Sequence, residues 1–144
     1  MWKNDIRNIA ERFLFNEPAS AKEIEEIKSR FNIQDMDELR SFLEETDGVN
    51  DEMNCHFVWP ASRIIEENSE QRSNEICKEI YMPFDSLLFV ADAGNGDLFG
   101  YSIINGSIQK DDIYTWSHED DSRTWVAPSL LKFIEWWNDG TITL

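Results

Sequence analysis

The stretch from Ser86 to His118 limits the possible fold more than any other part of this chain. It begins with an apolar run of strand length, Ser86–Asp92, which leads into a turn containing Gly94 and Gly96. Glycine supplies the positive φ angles that a tight reversal needs, so a hairpin is expected here. Asn105-Gly106 fits a second turn of type I′, in which both central residues have positive φ.

These turns divide the stretch into strands that follow one another in sequence order. Strands are predicted over residues 86–92, 98–103, 107–109 and 113–118. The last of them places Tyr114 and Trp116 on one face by the two-residue period of a strand. The core of the protein is therefore predicted to be an antiparallel meander. A length of 144 residues fits one domain spanning residues 1–144.

Helical periodicity occurs on both sides of the meander. Apolar residues recur at three- and four-residue spacing in four segments before it, with candidate N-caps at Asn4 or Asp5, Ser20, Asp35 and Ser62. Ser20 and Glu23 also match the capping-box pattern. A last helix is predicted with Pro128 in its first turn and Gly140 at its end.

Three segments between the first helices and the meander are less regular. Residues 49–56 lack a period and are predicted to form a loop, whereas residues 57–59 predict a short strand. Because Pro60 follows and cannot donate to a ladder, this strand is placed at a sheet edge. A short helix is expected around Ile76 and Ile80.

The formal charge of −16 restricts the class of partner. An acidic surface repels nucleic acids and anionic membranes, because both are bound through Lys and Arg that neutralise phosphates. A basic protein would be attracted. Acidity for solubility alone is the alternative explanation of the same charge.

The cysteines and the apolar segments indicate the compartment. Cys55 and Cys77 are too few and too isolated for a disulfide framework or a Cys-rich metal site, so reduced thiols in the cytoplasm are expected. No apolar signal region is present at the N-terminus, and no window approaches the roughly 20 apolar residues of a membrane span. Neither export nor membrane insertion is predicted.

Sites for metals, cofactors and catalysis are not predicted either. His118 and the three acids after it could attract a divalent ion, but consecutive side chains at a strand end point in different directions. Cys55 beside His56, or a serine paired with His118, lacks the geometry of a nucleophile and its base. The Gly94–Gly96 segment joins two strands, so it is a turn rather than a phosphate cradle.

The positions of several motifs resemble those of a known family. The motifs are Leu39-Arg-Ser-Phe-Leu43 with Gly48, Met82-Pro83, Phe89–Asp97, Phe99-Gly-Tyr101, Ile113–Glu119 and Ser129–Ile134. Together they resemble the SUKH superfamily, the Smi/Knr-like domain of a yeast cell-wall synthesis regulator and of many bacterial proteins. The resemblance covers most of the chain, from Ala19 to Trp137.

This resemblance implies an α+β fold in which helices pack on a mostly antiparallel sheet. It also implies a non-enzymatic protein-binding domain without catalytic residues. Bacterial members of the superfamily are read as immunity proteins that capture a toxin, often a nuclease. An acidic protein suits that role because a nuclease needs a basic cleft for its substrate.

Acidic residues at the ends of helices and strands are the predicted partner-binding residues. At such positions side chains are exposed and can reach a partner. The candidates are Glu119, Asp120, Asp121, Asp47, Asp51 and Glu52. Two other functions stay open: an intracellular regulatory or scaffold module, and a binder of a small ligand, or an enzyme, with a pocket beside the sheet.

Overall fold

A computed structural model describes all 144 residues, and it contains six helices and two antiparallel sheets. The helices are α1 (Trp2–Ile9), α2 (Ala21–Arg30), α3 (Asp37–Glu45), α4 (Ala61–Ser73), α5 (Glu75–Ile80) and α6 (Leu130–Asp139). The strands are β1 (Leu14–Phe15), β2 (Val49–Asn50), β3 (His56–Val58), β4 (Leu87–Asp92), β5 (Leu98–Ser102), β6 (Ile113–Trp116) and β7 (Arg123–Ala127). The α+β fold predicted from the sequence is confirmed.

The larger sheet is a meander in the order β4-β5-β6-β7. Its first hairpin and the positive φ angles of Asn105 and Gly106, 52° and 76°, agree with the prediction. The strand predicted over residues 107–109 is wrong, because only a single bridge joins Ile104 to Ser107. The Ile108 amide instead donates to the Asp35 carbonyl at 2.9 Å, so this segment packs against the chain before α3.

The fourth strand of the meander is β7, which the sequence analysis did not assign. It is antiparallel to β6: Arg123 at its start lies opposite Trp116, and Ala127 at its end lies opposite Ile113. Pro128 follows this strand directly and lies outside α6, whose N-cap is Ser129. The placement of Pro128 in the first helical turn is therefore wrong, whereas Gly140 ends α6 with φ 83°, as predicted.

The smaller sheet has the order β1-β2-β3. The loop predicted over residues 49–56 is wrong at both ends, because Val49–Asn50 is β2 and His56 begins β3. A two-residue strand is too short to show a period in the sequence. β3 lies at the edge of this sheet, as predicted, and the amide of Trp59 just beyond it donates to the Val90 carbonyl of β4 at 2.8 Å.

Two helix starts show why local sequence predicts some caps and misses others. The α2 capping box is confirmed: the Glu23 amide donates to Ser20 Oγ at 3.1 Å, and the Ser20 amide to Glu23 Oε1 at 3.2 Å. In contrast, the N-cap of α1 is Met1 rather than Asn4 or Asp5, and the helix begins at Trp2. Its Trp2 and Lys3 amides donate to the Glu45 carboxylate at 3.2 and 2.6 Å, so the cap comes from α3.

Two other predicted caps are wrong. The N-cap of α3 is Met36 rather than Asp35, and it makes no side-chain hydrogen bond. Ser62 lies inside α4, whose N-cap is Pro60. Phe13 is buried, but it lies beyond the end of α1.

Thirty-three buried apolar residues form one contiguous core between the helices and the sheets. Trp59, Tyr101 and Phe99 are among its fully buried large side chains. Helix α6 covers the meander, with the Phe133 ring 4.7 Å from the Phe99 ring. No helix is long and apolar enough to cross a membrane.

Candidate partner-binding edge

The register of the meander places two acidic turns at the same end of the sheet. Asp92 lies opposite Leu98, Leu98 opposite Trp116, and Trp116 opposite Arg123. The β4–β5 turn and the β6–β7 turn both start from this row of paired residues. Residues 93–97 and 117–122 are therefore neighbours at one edge of the molecule.

A third loop, between β2 and β3, is connected to this edge through Arg63 of α4. One guanidinium nitrogen of Arg63 lies 3.2 Å from His56 Nδ1, and the other donates to Asp92 Oδ2 at 3.0 Å. The guanidinium also lies over the Trp59 ring, 4.7 Å from its centroid. We call residues 51–56, 92–97 and 117–122 together the turn edge.

Asp97 and His118 connect the two meander turns through hydrogen bonds. Asp97 Oδ1 is 2.6 Å from His118 Nδ1 and also accepts the His118 amide at 3.1 Å. Asp97 is only 8% exposed, so its carboxylate is an internal group. Gly96 leaves room for the imidazole, because a Cβ at this position would lie 2.9 Å from His118 Nδ1.

Asp121 holds the β6–β7 turn in place through hydrogen bonds within the protein. Its Oδ1 accepts from Trp116 Nε1 at 2.7 Å and from Arg123 Nη2 at 3.2 Å, and its Oδ2 accepts the Met82 amide at 2.9 Å. Burial opposes ionisation, but these hydrogen bonds outweigh it and lower the pKa of Asp121. Its side chain is 15% exposed, so the expectation of an exposed residue is wrong here.

The carboxylate of Asp47 also accepts a hydrogen bond from within the protein. Its Oδ1 accepts the Ala61 amide at 2.7 Å and so caps α4 from the end of α3. Burial raises the pKa of Asp47, and the bond from Ala61 opposes that shift. The predicted exposure is therefore wrong for Asp47 as well.

The remaining candidates belong to the surface of the turn edge. Asp51 Oδ1 accepts the amides of Met53 and Cys55 at 2.9 and 3.0 Å, which shapes the β2–β3 loop. Glu52, Glu119 and Asp120 are exposed. The structure thus places Asp51, Glu52, Glu119 and Asp120 in the loops of the turn edge, whereas the carboxylates of Asp121 and Asp47 are hydrogen-bonded within the protein.

The cations near these acids already have partners. Arg63 pairs with Asp92, and Arg123 donates to Asp121 and to the carbonyls of Met82 and Pro83. By contrast, no cationic nitrogen lies within 4.0 Å of the carboxylates of Glu52, Glu119 and Asp120. The negative charge of these three groups is uncompensated at short range.

Sequence reasoning missed three residues that build this edge. Asp92 and Asp97 flank the predicted turn on either side, and this symmetric placement was the available signal for a structural role. The role of Arg63 depends on a long-range contact between α4 and β4, which no local pattern shows.

The residues that were weighed as metal ligands or as a nucleophile with its base make other contacts in the structure. The chain contains no group of three or more His, Cys, Asp and Glu side chains placed to hold a metal ion. His118 bonds to Asp97, and the thiol of Cys55 lies 3.9 Å from the Met53 carbonyl while His56 contacts Arg63. The chemistry that the edge itself offers is hydrogen-bond acceptance and attraction of positive charge.

Comparison with protein families identifies the family of this chain. The SUKH_6 family, described as SMI1-KNR4 cell-wall, matches residues 21–134. The match includes α2 to α5, both meander turns and the start of α6. Among curated proteins, none matches the chain.

Proposed function

Because this chain belongs to the SUKH superfamily, we propose that it is a non-enzymatic domain that captures a basic protein through its turn edge. The specific role that fits best is that of an immunity protein. Its partner would be a cationic toxin domain, and a nuclease is the class whose chemistry demands such a surface. Membership of the superfamily supports the binding role, and the charge distribution supports the class of partner.

The observation that carries this proposal is the set of uncompensated carboxylates at the turn edge. Glu52, Glu119 and Asp120 are exposed and make no ion pair, while Arg63 and Arg123 pair with Asp92 and Asp121. A partner with Lys and Arg side chains would supply the missing counter-charges. Interface charges of this kind increase the association rate and the specificity more than they increase affinity.

A nuclease cleft must attract phosphates with positive charge, so an acidic surface can occupy it in their place. The Asp97–His118 and Asp121–Trp116 contacts hold the two meander turns in one geometry before a partner arrives. A pre-formed edge loses little conformational entropy on binding. Capture then blocks the cleft without any chemical step.

Co-expression with cationic toxin nucleases, beginning with any encoded beside its gene, tests this function. The wild-type protein should restore growth of cells that express the cognate toxin. The variant E52K/E119K/D120K should lose protection, because it reverses the charge of the edge. It leaves the hydrogen bonds of Asp121 and Asp47 in place and removes the one from the Ser122 amide to Asp120 Oδ1, which is 3.0 Å long.

The matched control is E11K/E44K/E66K, which changes the net charge equally at three exposed helical or loop positions outside the edge. It should protect as well as the wild type. Equal loss of protection in both variants would assign the effect to net charge. Protection that survives in the edge variant, or a failure to neutralise any toxin, would overturn the proposal.

The description of the matching family as SMI1-KNR4 cell-wall favours a second candidate, an intracellular regulatory module. Such a module would bind a signalling or cell-wall enzyme without inhibiting it. Activity measurements separate the candidates, because an immunity protein abolishes the activity of its partner and a scaffold leaves it intact. A cytoplasmic location is proposed for either role, supported by the unpaired thiols of Cys55 and Cys77.

A further inference from the structure

A polar cavity of about 410 Å³ lies at the turn edge, at the end of the meander. Its walls come from both meander turns, from β6 and β7, and from residues 143–144 after α6. Two carboxylates, Asp97 and Glu119, belong to the lining, which contains no Lys, Arg or His. Most of the remaining wall consists of hydroxyl side chains, and only Val126 and Leu144 are apolar.

The two-residue period of the strands brings the hydroxyls together. Thr115 of β6 lies opposite Phe99 of β5 and opposite Thr124 of β7, so all three side chains point to one face of the sheet. It is the face covered by α6, which packs on Phe99. Closer to the turns, the Ser117 amide donates to the Ser122 carbonyl at 3.0 Å and extends this pairing by one step.

Asp97 contributes a carboxylate with one free oxygen. Its Oδ1 is engaged by His118, which lies outside the lining and whose amide and imidazole nitrogens are 3.1 and 2.6 Å away. Its Oδ2 accepts no hydrogen bond within the protein and is open to solvent. Glu119 is exposed, and no cationic nitrogen lies within 4.0 Å of its carboxylate. The cavity therefore has carboxylate oxygens without donors.

Thr115 adds a hydroxyl that the fold does not use. The residue is 6% exposed, and its Oγ1 is buried without a hydrogen-bond partner. An unpaired buried hydroxyl lowers stability, whereas valine has nearly the same shape without this cost. Threonine can change its χ1 rotamer, which would let a donor bound in the cavity reach the hydroxyl. The unused group points to a ligand that carries N–H donors.

A lysine side chain fits this cavity better than the other cations do. Its ammonium has three donors and no acceptor, so it can satisfy carboxylate and hydroxyl oxygens together. A guanidinium binds best to both oxygens of one carboxylate, and Asp97 has only Oδ2 free. A metal ion requires more ligands than two carboxylates, and no His, Cys, Asp and Glu side chains are grouped to hold one.

We propose that the cavity receives one lysine side chain of the basic protein that the turn edge captures. This inference rests on the proposed function and names the residue type that anchors the partner. The ammonium pairs with Asp97 and Glu119 and donates to Thr115, while the methylene stem packs against Val126 and Leu144. A side chain enclosed in a pocket contributes more to affinity than the exposed charges around it.

NMR titration of the full chain with the peptide acetyl-Gly-Lys-Gly-amide tests the lysine site without the partner. At physiological salt, the peptide should shift the amide signals of Asp97, Thr115 and Thr124 in a saturable manner. The same peptide with norleucine in place of lysine keeps the stem but lacks the ammonium, so it should leave these signals unchanged. The arginine peptide should bind at least threefold more weakly.

Variants of the cavity identify the contacts. T115V/T124V removes two hydroxyls but keeps the β-branched shape, and it should weaken the lysine peptide by about tenfold, the loss expected for hydrogen bonds to a charged group. Its unfolding midpoint should not fall, because Thr115 loses no hydrogen bond. E119Q should weaken the peptide at least threefold. E44Q, at an exposed acid of α3, is the matched control and should bind as tightly as the wild type.

The toxin that the wild-type protein neutralises extends the test to the partner. T115V/T124V should weaken its capture at least tenfold, and replacing the anchoring toxin lysine by methionine should have little further effect on that variant. Capture by T115V/T124V as tight as by the wild type would overturn the lysine site and leave the proposed function intact. If no toxin is neutralised, the proposed function fails and the peptide decides the site alone. Shifts that the norleucine peptide reproduces, or that spread over the whole surface, would then overturn it.

Discussion

The indole Nε1 of Trp116 donates a 2.7 Å hydrogen bond to Oδ1 of Asp121, which joins the aromatic core of the meander to the turn edge. Trp116 is 3% exposed and packs nearly perpendicular to the rings of Phe84 and Tyr81. Asp121 has φ 60° and also accepts from Arg123 and from the Met82 amide. One carboxylate therefore fixes the conformation of the β6–β7 turn and of the segment before β4.

Replacement of this carboxylate should destabilise the fold rather than change only a surface charge. D121N keeps the shape but cannot accept from all three donors, so the free energy of unfolding should fall by about 1–3 kcal/mol. Urea denaturation measures the loss. E119Q, two residues away and exposed, is the control and should leave the midpoint unchanged. Equal midpoints for D121N and the wild type would show that these bonds do not hold the turn.

The two turn glycines should respond differently to the same side chain. At Gly96, φ is 103° and a Cβ would lie 2.9 Å from His118 Nδ1, so G96V should destabilise severely. At Gly94, φ is 84° but nothing lies within 4 Å of a Cβ, so G94V should cost the backbone strain alone. Thermal unfolding compares the pair, and a G96V midpoint equal to that of the wild type would contradict the hairpin geometry.

Glu38 should give stability an unusual dependence on pH. Burial raises the pKa of Glu38 from 4.5 to about 7, although the Leu130 amide and the Tyr101 hydroxyl donate to its carboxylate at 3.0 and 2.8 Å. The folded state therefore binds an extra proton between these pH values. The stability contribution of Glu38 falls as pH rises through that window and stays low above pH 7.

E38Q lacks this titration and isolates the effect. Relative to E38Q, the wild type should lose on the order of 1–2 kcal/mol between pH 5 and pH 8, after allowance for solvent screening. Urea denaturation of both proteins at several pH values gives the difference. A difference that is independent of pH would refute the raised pKa.

Features determined by neighbouring residues could be predicted from the sequence. The Ser20–Glu23 capping box, the Asn105-Gly106 turn and the Gly140 helix end all depend on conformations that a few adjacent residues dictate. Features determined by distant residues were missed. Glu45 caps α1 and Asp47 caps α4 across 42 and 14 positions of the chain, and no local pattern contains both members of either pair.

The same distinction explains the candidate site. Glu52, Glu119 and Asp120 could be identified as exposed acids because they lie in polar loops. Asp121 and Asp47 have similar neighbours in sequence, but their carboxylates accept hydrogen bonds from the amides of Met82 and Ala61, which only the tertiary fold brings to them. The sequence thus predicts where acids occur at chain reversals, while the fold decides which of them face solvent.

The central claim, that the turn edge attracts a basic partner, is tested most directly by association kinetics at different salt concentrations. The measurement uses stopped-flow mixing with the toxin domain that the wild-type protein neutralises. Association should slow markedly between low and physiological salt, whereas dissociation should change less, because steering acts before contact. E52K/E119K/D120K should associate slowly with a weak salt dependence, and E11K/E44K/E66K should retain most of the wild-type rate. An association rate that is independent of salt, or equally fast for the edge variant, would contradict the claim.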